Sequence, residues 1–561
     1  MSFTRIGSIV SMGCFAICLA ASSFAQQLGP VDRSAALSAI QTMSVSAVRS
    51  HMRFLSDDLL AGRAPGTPGY DVAARYVAAQ MEAMGLLPAG EHGTWFQKVP
   101  LRASVNDEKK SSLTLVAGGK QVRLKSRVDY VYGGDPASTE SDVETPVVFV
   151  GFGVTAPELN YDDYAGVDVR GKIVARFSNA PARFSSTQRA YYADAVTKEE
   201  NAVKHGAVGS LTLPEPEDEE PWDRVVRQIF APARAWMNSE GKPQDWSPEI
   251  RARADLSRAG AQILFKGAPH ALSQAIAAAN ASRPQAFPLA WTARMHTVNS
   301  HQAIESDNIV GRIEGSDPVL KNQYVVYSAH VDHLGRCPAV EGSTDEVCHG
   351  TVDDASGVAT VLEIARAYTR LPRAPRRSLL FVFVTAEEDG LLGSDFFAHN
   401  PTVNEADIVA DINVDGAPGI RYPSKDLTPI GSEHSSLEAN VTMAARIVGY
   451  ELTPDPFPEQ NFFIRADQYS FVRAGIPAVF IRNGADGGDS VRKWLRTRYH
   501  TPLDNMEQPL YYEAAVRAAG VNFLVGYEVA QQDEPPTWNQ NNFFGELFGV
   551  KRHQAGKAMA R

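Results

Sequence analysis

The apolar positions along the chain change rhythm twice. Over residues 35–95 they fall at helical spacing. In AARYVAAQMEAMGLLPAG, Ala74, Tyr76, Val77, Met81 and Met84 recur on one face and Gly85 ends the run. The preceding DLLAGRAPGTPGYD is dense in turn formers and predicts a loop. From about residue 100 to 300 the pattern breaks into brief β-like runs, SSLTLV, TPVVFVGFGV, GKIVARFS, GSLTLP and AQILFKG, around one helix-like stretch, KEENAVKHGAV. From 305 to 530, continuous apolar runs (QYVVYSA, SLLFVFVT, VADINV, IPAVFI) alternate with helical patterns (GVATVLEIARAYTRL, LEANVTMAARIVGY, QYSFVRAG). Runs without polar alternation suit strands covered on both faces. The pattern therefore predicts an α/β fold, a mostly parallel (mixed) sheet with helices on both faces, interrupted by a β-rich inserted domain. In such sheets ligands gather beyond the carboxyl ends of the strands.

Composition narrows the class. A chain of 561 residues exceeds one core, and 44% hydrophobic with 21% charged residues describes a soluble globular protein. The net charge of −11 and the lack of a long basic run exclude broad nucleic-acid binding. The opening MSFTRIGSIVSMGCFAICLAASSFAQQ has Arg5, an apolar run short for a membrane span, and Ser23-Phe24-Ala25 as a small-x-small cleavage site before Gln26. It reads as a signal peptide, with a membrane anchor as the alternative. The expectation is export to periplasm or medium, with no stable membrane anchor. Of four cysteines, Cys14 and Cys18 leave with that segment. Cys337 and Cys348 remain, as a disulfide in an oxidising compartment or as two free thiols. The acidic PEPEDEEPWD reads as a solvated loop, the tail after Asp533 as a partly disordered appendage, and no internal repeat is visible.

Chemistry gathers where the apolar runs stop. After QYVVYSA come His330 and Asp332; GTVDDASGV holds Asp353 and Asp354; SLLFVFVT leads to Glu387-Glu388; VADINV leads to Asp415; RTRYHTPLDN supplies His500. Each has a bland reading alone. His330 suits a satisfied core histidine, Asp354 a helix N-cap, Glu387-Glu388 a polar corner, His500 a loop. The bland readings must all hold together, and that coincidence is hard to accept. Two His and three carboxylates can hold two divalent ions if one carboxylate bridges, and imidazole with carboxylate suits zinc. Ions about 3.5–4 Å apart clamp an attacking oxygen and a carbonyl oxygen.

The pieces SAHVDHLG, GTVDDASGVATVLEIAR, TAEEDGLLGS, INVDG and YHTPLDN resemble the two-zinc exopeptidase family typified by secreted bacterial aminopeptidases, over about residues 50–95 and 300–530. The resemblance implies two Zn2+ per chain held by His330, Asp353, Glu388, Asp415 and His500. Asp353 would bridge, His330 and Asp415 completing one site, Glu388 and His500 the other. It implies Glu387 as general base toward the attacking water, Asp332 as the carboxylate that orients His330, and peptides as substrates. The segment 131–294 resembles a protease-associated domain, set into a zinc peptidase domain of 26–130 and 295–533 after a 1–25 signal peptide and before a 534–561 tail. In RADQYSFVRAG, Gln468 stands where the family often has His; Arg465, Tyr469 and Tyr499 are candidate substrate contacts. A carboxypeptidase stays open, since Arg465, Arg473, Arg496 and Arg498 offer cations for a substrate carboxylate. A one-zinc cyclase or a non-catalytic receptor on this scaffold is disfavoured by the full ligand set plus Glu387. The oligomeric state is left unassigned.

Overall fold

Four strands build the floor of the molecule. Tyr324–His330 pairs in parallel with Ser378–Val384 on one side and Ile408–Asn413 on the other, and Ile408–Asn413 continues in parallel to Ala478–Asn483. Antiparallel strands flank them: Ala286–Ile313 beyond Ser378–Val384, and Asp426–Ile430 beyond Ala478–Asn483. The sheet is thus mixed with a parallel centre, as the unalternating apolar runs predict. The computed structural model describes residues 33–214, 222–283 and 285–549. The segment expected to be a signal peptide, most of the acidic run and the end of the tail lie outside the described residues.

Every residue of Ser378–Val384 is buried, and its side chains divide between two faces. Leu379, Phe381 and Phe383, with Val325 and Tyr327, pack under Val361 and Leu362 of helix Ser356–Thr369 and Phe523 and Leu524 of helix Tyr512–Gln531. Leu380, Val382 and Val384 pack on the other face with Phe397 of helix Leu392–His399 and Phe471 of helix Gln468–Arg473. Each such side chain contributes roughly 1.5–3 kcal/mol by burial. Two-sided coverage buries the strand along its whole length, and the polar groups that follow the apolar run stand at its carboxyl end.

The 28-residue strand Ala286–Ile313 links this sheet to the insert. Its first half pairs with Glu140–Val150 and Ser112–Ala117, its second with Phe96–Asn106 and Ser378–Val384. Position 295 lies inside this strand. The insert is more helical than the sequence pattern suggests. Glu140–Val150, Ile173–Phe177, Gly209–Leu213 and Arg253–Leu256 pair in parallel, with helices such as Ala195–Lys204 and Leu272–Asn280 between or after them. AQILFKG, expected as a strand, enters helix Arg258–Leu264 instead. Ser257 caps that helix by accepting from the Gly260 N–H, and Gly260, Ala261 and Leu264 bury one face. A run this short satisfies either period, and the cap decides.

Two loop expectations also shift. DLLAGRAPGTPGYD gives up its end to helix Pro68–Ala83, which Thr67 caps and Pro68 opens. The tail is no loose appendage as far as residue 549: Trp538 Nε1 donates to the Gly475 carbonyl at 3.0 Å, and Phe544 is buried against His434 and Phe463. Aromatic rings sparse in the sequence find a shared pocket only once the chain is folded. Cys337 and Cys348 form a disulfide. Among the described residues, no helix is long and apolar enough to cross a membrane.

Candidate metal centre

The carboxyl ends of three parallel strands meet at one place. His330 ends its strand, Glu387 and Glu388 follow Ser378–Val384, and Asp415 follows Ile408–Asn413. Asp353 comes from the irregular turn Thr351–Ala355 that leads into helix Ser356–Thr369; the Asp353-Asp354 peptide is cis. His500 arrives from the loop after helix Gly488–Thr497.

The two oxygens of Asp353 face different groups. Oδ1 is 3.2 Å from His330 Nε2, which is also 3.8 Å from Asp415 Oδ1 and 3.8 Å from Glu387 Oε2. Oδ2 is 3.4 Å from His500 Nε2, itself 3.0 Å from Glu388 Oε2. Close as these groups are, His330 Nε2, His500 Nε2 and Glu388 Oε1 are buried and make no hydrogen bond of acceptable geometry among the described residues. Converging lone pairs without donors between them suit a cation.

Charge is redistributed accordingly. Burial alone would lower the His330 imidazole, but Glu387, Asp353 and Asp415 more than offset it and raise it. His500 is likewise pushed up, to about 9, by Glu388 and Asp353 against burial. For Asp353, burial is outweighed by its two imidazole partners, which hold the carboxyl well below its usual range. Glu387 goes the other way: burial first, then the charges of Glu388 and Asp415, raise its carboxyl. A carboxylate with raised proton affinity is what a general base near neutral pH requires.

The supporting residues explain the arrangement. Asp332 accepts from the backbone N–H of Glu387 at 3.1 Å and of Glu388 at 3.4 Å, clamping the Glu pair. Its Oδ1 lies 3.8 Å from His330 Nδ1, whose nearer partner is the Asp332 carbonyl at 3.2 Å. Asp354 accepts from Gly357 N–H at 2.8 Å, in the first turn of the helix, and from Gly416 N–H at 2.7 Å. Capping and tying the Asp415 loop are thus one function.

Three residues of the site escaped the sequence reading. His333, inside SAHVDHLG, is buried with Nδ1 2.6 Å from Glu388 Oε1, and with Asp353 and Glu388 it forms a second ligand-capable group. Its signal was a second His three residues after His330. Arg63 is 1% exposed and donates to the carbonyls of Val331, Leu55, His349, Gly350 and Asp353. It gets there through a left-handed turn at Ala61-Gly62-Arg63, where a Cβ on Gly62 would stand 2.3 Å from the Gly335 carbonyl oxygen. Asp504, in YHTPLDN, accepts from the N–H groups of Val352 and Asp353 at 3.1 Å.

The candidate substrate contacts separate. Arg465 and Tyr499, hydrogen-bonded at 2.9 Å, line a small cavity beside Glu387. Tyr469 is buried toward the insert, near Asp194 and Tyr191, and Arg473 stacks 4.1 Å over Trp246. Arg498 donates to the Leu503 carbonyl and Arg496 is exposed. Gln468 is spent on the Phe463 carbonyl at 2.8 Å.

Residues 308–524 match the model of peptidase family M28. Over 268 residues the chain is 26% identical to probable leucine aminopeptidase 2 of Aspergillus fumigatus, covering 45% of this chain and 49% of that protein. It is 28% identical over 211 residues to aminopeptidase Y of Saccharomyces cerevisiae, covering 36% of this chain and 35% of that protein. The matched part thus spans about half or less of these curated relatives. The aminopeptidase from Aneurinibacillus sp. strain AM-1 shares the fold, with a TM-score of 0.52 and 20% identity over 89% of this chain and 97% of that one.

Proposed function

We propose that this M28 chain is an exported two-zinc aminopeptidase that removes N-terminal residues from peptides. The observation that carries the reading is Asp353, whose two oxygens face two separate ligand groups. His330, Asp415 and Asp353 would hold one ion; Glu388, His500 and Asp353 the other, with His333 beside it. Zinc, when bound, acts as a Lewis acid at the peptide carbonyl and makes water more acidic. Glu387 takes the proton from the attacking water and passes it to the leaving amine. Asp332 holds Glu387 in place through its backbone N–H.

The insert supports an exopeptidase. Pro232 and Arg234 wall a cavity of about 620 Å³ together with His333, Glu388 and His500. Arg234 also pairs with Asp389 at 2.5 Å, next to the Glu pair. A segment seated over the approach favours chain ends over chain middles. Its assignment as a protease-associated-like domain of 131–294, and export through residues 1–25, belong to the same proposal.

A panel of peptides with blocked and free termini tests it. Cleavage that requires a free amine is expected; removal of C-terminal residues from N-blocked peptides would establish the carboxypeptidase instead. Metal analysis of the mature protein should find about two zinc per chain; a value near zero after gentle purification would sink the two-metal reading.

A further inference from the structure

The small cavity beside Glu387 has an unusual lining. Its volume is about 30 Å³, and Asp353, Glu387 and Asp415 bound it on the metal-centre side. Arg421, Arg465 and Arg482 bound the rest, with Trp494 and Tyr499. A space of this size admits about two water-sized groups, the size of a carboxylate's two oxygens.

None of the three guanidinium groups is in an ion pair among the described residues; Arg465 donates to the Tyr499 hydroxyl and the Gln460 carbonyl, and the other two have no such partner. Arg421 lies 4.8 Å over Trp494 and Arg482 lies 3.3 Å from the centre of the Phe462 ring. Neither makes a hydrogen bond or ion pair among the described residues, and Arg421 Nε is buried without a partner. Both are half-buried. Burial and the charge of Arg421 push Arg482 down to about 9. Guanidinium forks held on aromatic faces around a narrow space, those of Arg421 and Arg482 with unpartnered donors, match a planar carboxylate.

Placement says which carboxylate. The wide cavity, about 620 Å³, lies on the His500 and Glu388 side of the centre; the small one, about 30 Å³, lies on the Glu387 and Asp415 side. A peptide entering by the wide side leaves its terminal residue at the narrow side. We infer that Arg421, Arg482 and Arg465 form a subsite for an acidic side chain, so that the preferred substrates carry an N-terminal Glu or Asp. This rests on the aminopeptidase reading.

The test compares free-amine peptides differing only in N-terminal Glu, Gln or Leu, with N-acetylated peptides ending in Glu as a further arm. Wild type should favour Glu over its neutral isostere Gln by on the order of 10–100-fold in kcat/KM. Arg421→Met and, separately, Arg482→Met should bring that ratio toward unity, and free glutamate should inhibit wild type more strongly than either variant. A Glu/Gln ratio near one in wild type overturns the subsite. So does a high ratio that both variants retain. If one variant fails to fold, the other and the glutamate inhibition still decide. Cleavage of Gln and Leu peptides without a Glu preference leaves the aminopeptidase standing and removes only the subsite. Release of C-terminal Glu from the acetylated peptides, with no free-amine cleavage, removes both readings and gives the arginines to an α-carboxylate.

Discussion

Replacing Arg63 with Met removes one buried guanidinium that holds the metal-centre loops together. Its Nε donates to Val331 at 2.6 Å, Nη1 to Leu55 at 2.9 Å and to His349, and Nη2 to Gly350 at 2.7 Å. A longer bond of 3.4 Å reaches Asp353 itself. These carbonyls belong to the segment before Arg63, the turn after His330, and the approach to Asp353. Met fills much of the volume but donates nothing. Counting about 1 kcal/mol, the low end for a stranded buried acceptor, for each of the four shorter bonds, and nothing for the longest, gives about 4 kcal/mol. That is a large share of the 5–15 kcal/mol typical of a folded domain. Asp332, Asp353, Asp354 and Asp504 also lose a nearby positive charge. Urea unfolding with metal analysis on the same samples is the assay. The expected result is a loss of about 4 kcal/mol with weakened metal retention, only partly restored by Arg63→Lys, whose single ammonium cannot span the carbonyls. A Met variant within about 1 kcal/mol of wild type, with its metal intact, would refute the account of Arg63 as the tie between loops.

Glu387→Gln should keep its metals and lose roughly 10²–10⁴ in turnover, read by steady-state kinetics beside metal analysis; near-normal activity would remove it as the base. Asp353→Ala should lose both ions together, and retention of either at full occupancy would argue against the bridge. Replacing Cys337 and Cys348 with Ser should cost roughly 2–3 kcal/mol through the short loop they close; unchanged unfolding would mean the loop is held by other contacts. Burial raises the Asp255 carboxyl from 3.8 to about 6. Its protonated form is favoured in the fold, so the contribution is complete below about pH 4 and is lost as pH rises through 6, by at most about 3 kcal/mol. Asp255→Asn should therefore flatten the stability profile between pH 4 and 7, and an unchanged profile in thermal unfolding would discount burial as the cause.

The strands at the centre were readable because they are covered on both faces. Burial leaves a continuous apolar run in SLLFVFVT and VADINV, and the chemistry begins where each run ends. The candidate ligands were readable for the same reason: His330 stands at a strand end, Asp415 two residues and Glu388 four residues beyond one, where an apolar pattern gives way to a metal-capable group. AQILFKG was not readable, since a helix and a strand both fit so few apolar positions and only the Ser257 cap separates them.

What the sequence by itself determined is the order of strands and helices in the segment that matches the M28 model and most of the groups able to hold metal, because local periodicity and residue chemistry travel with the chain. What only the tertiary structure decided is which atoms meet. Arg63 lies 290 positions before Asp353, whose carbonyl it reaches, in a segment that reads as an ordinary turn. His333 looked like one more residue of its motif until folding set it against Glu388. Arg421 and Arg482, on separate segments, share a cavity with Arg465 that no local pattern announces. Long-range contacts of single polar side chains leave no period in a sequence. They become visible when the packed sheet brings distant loops to one edge.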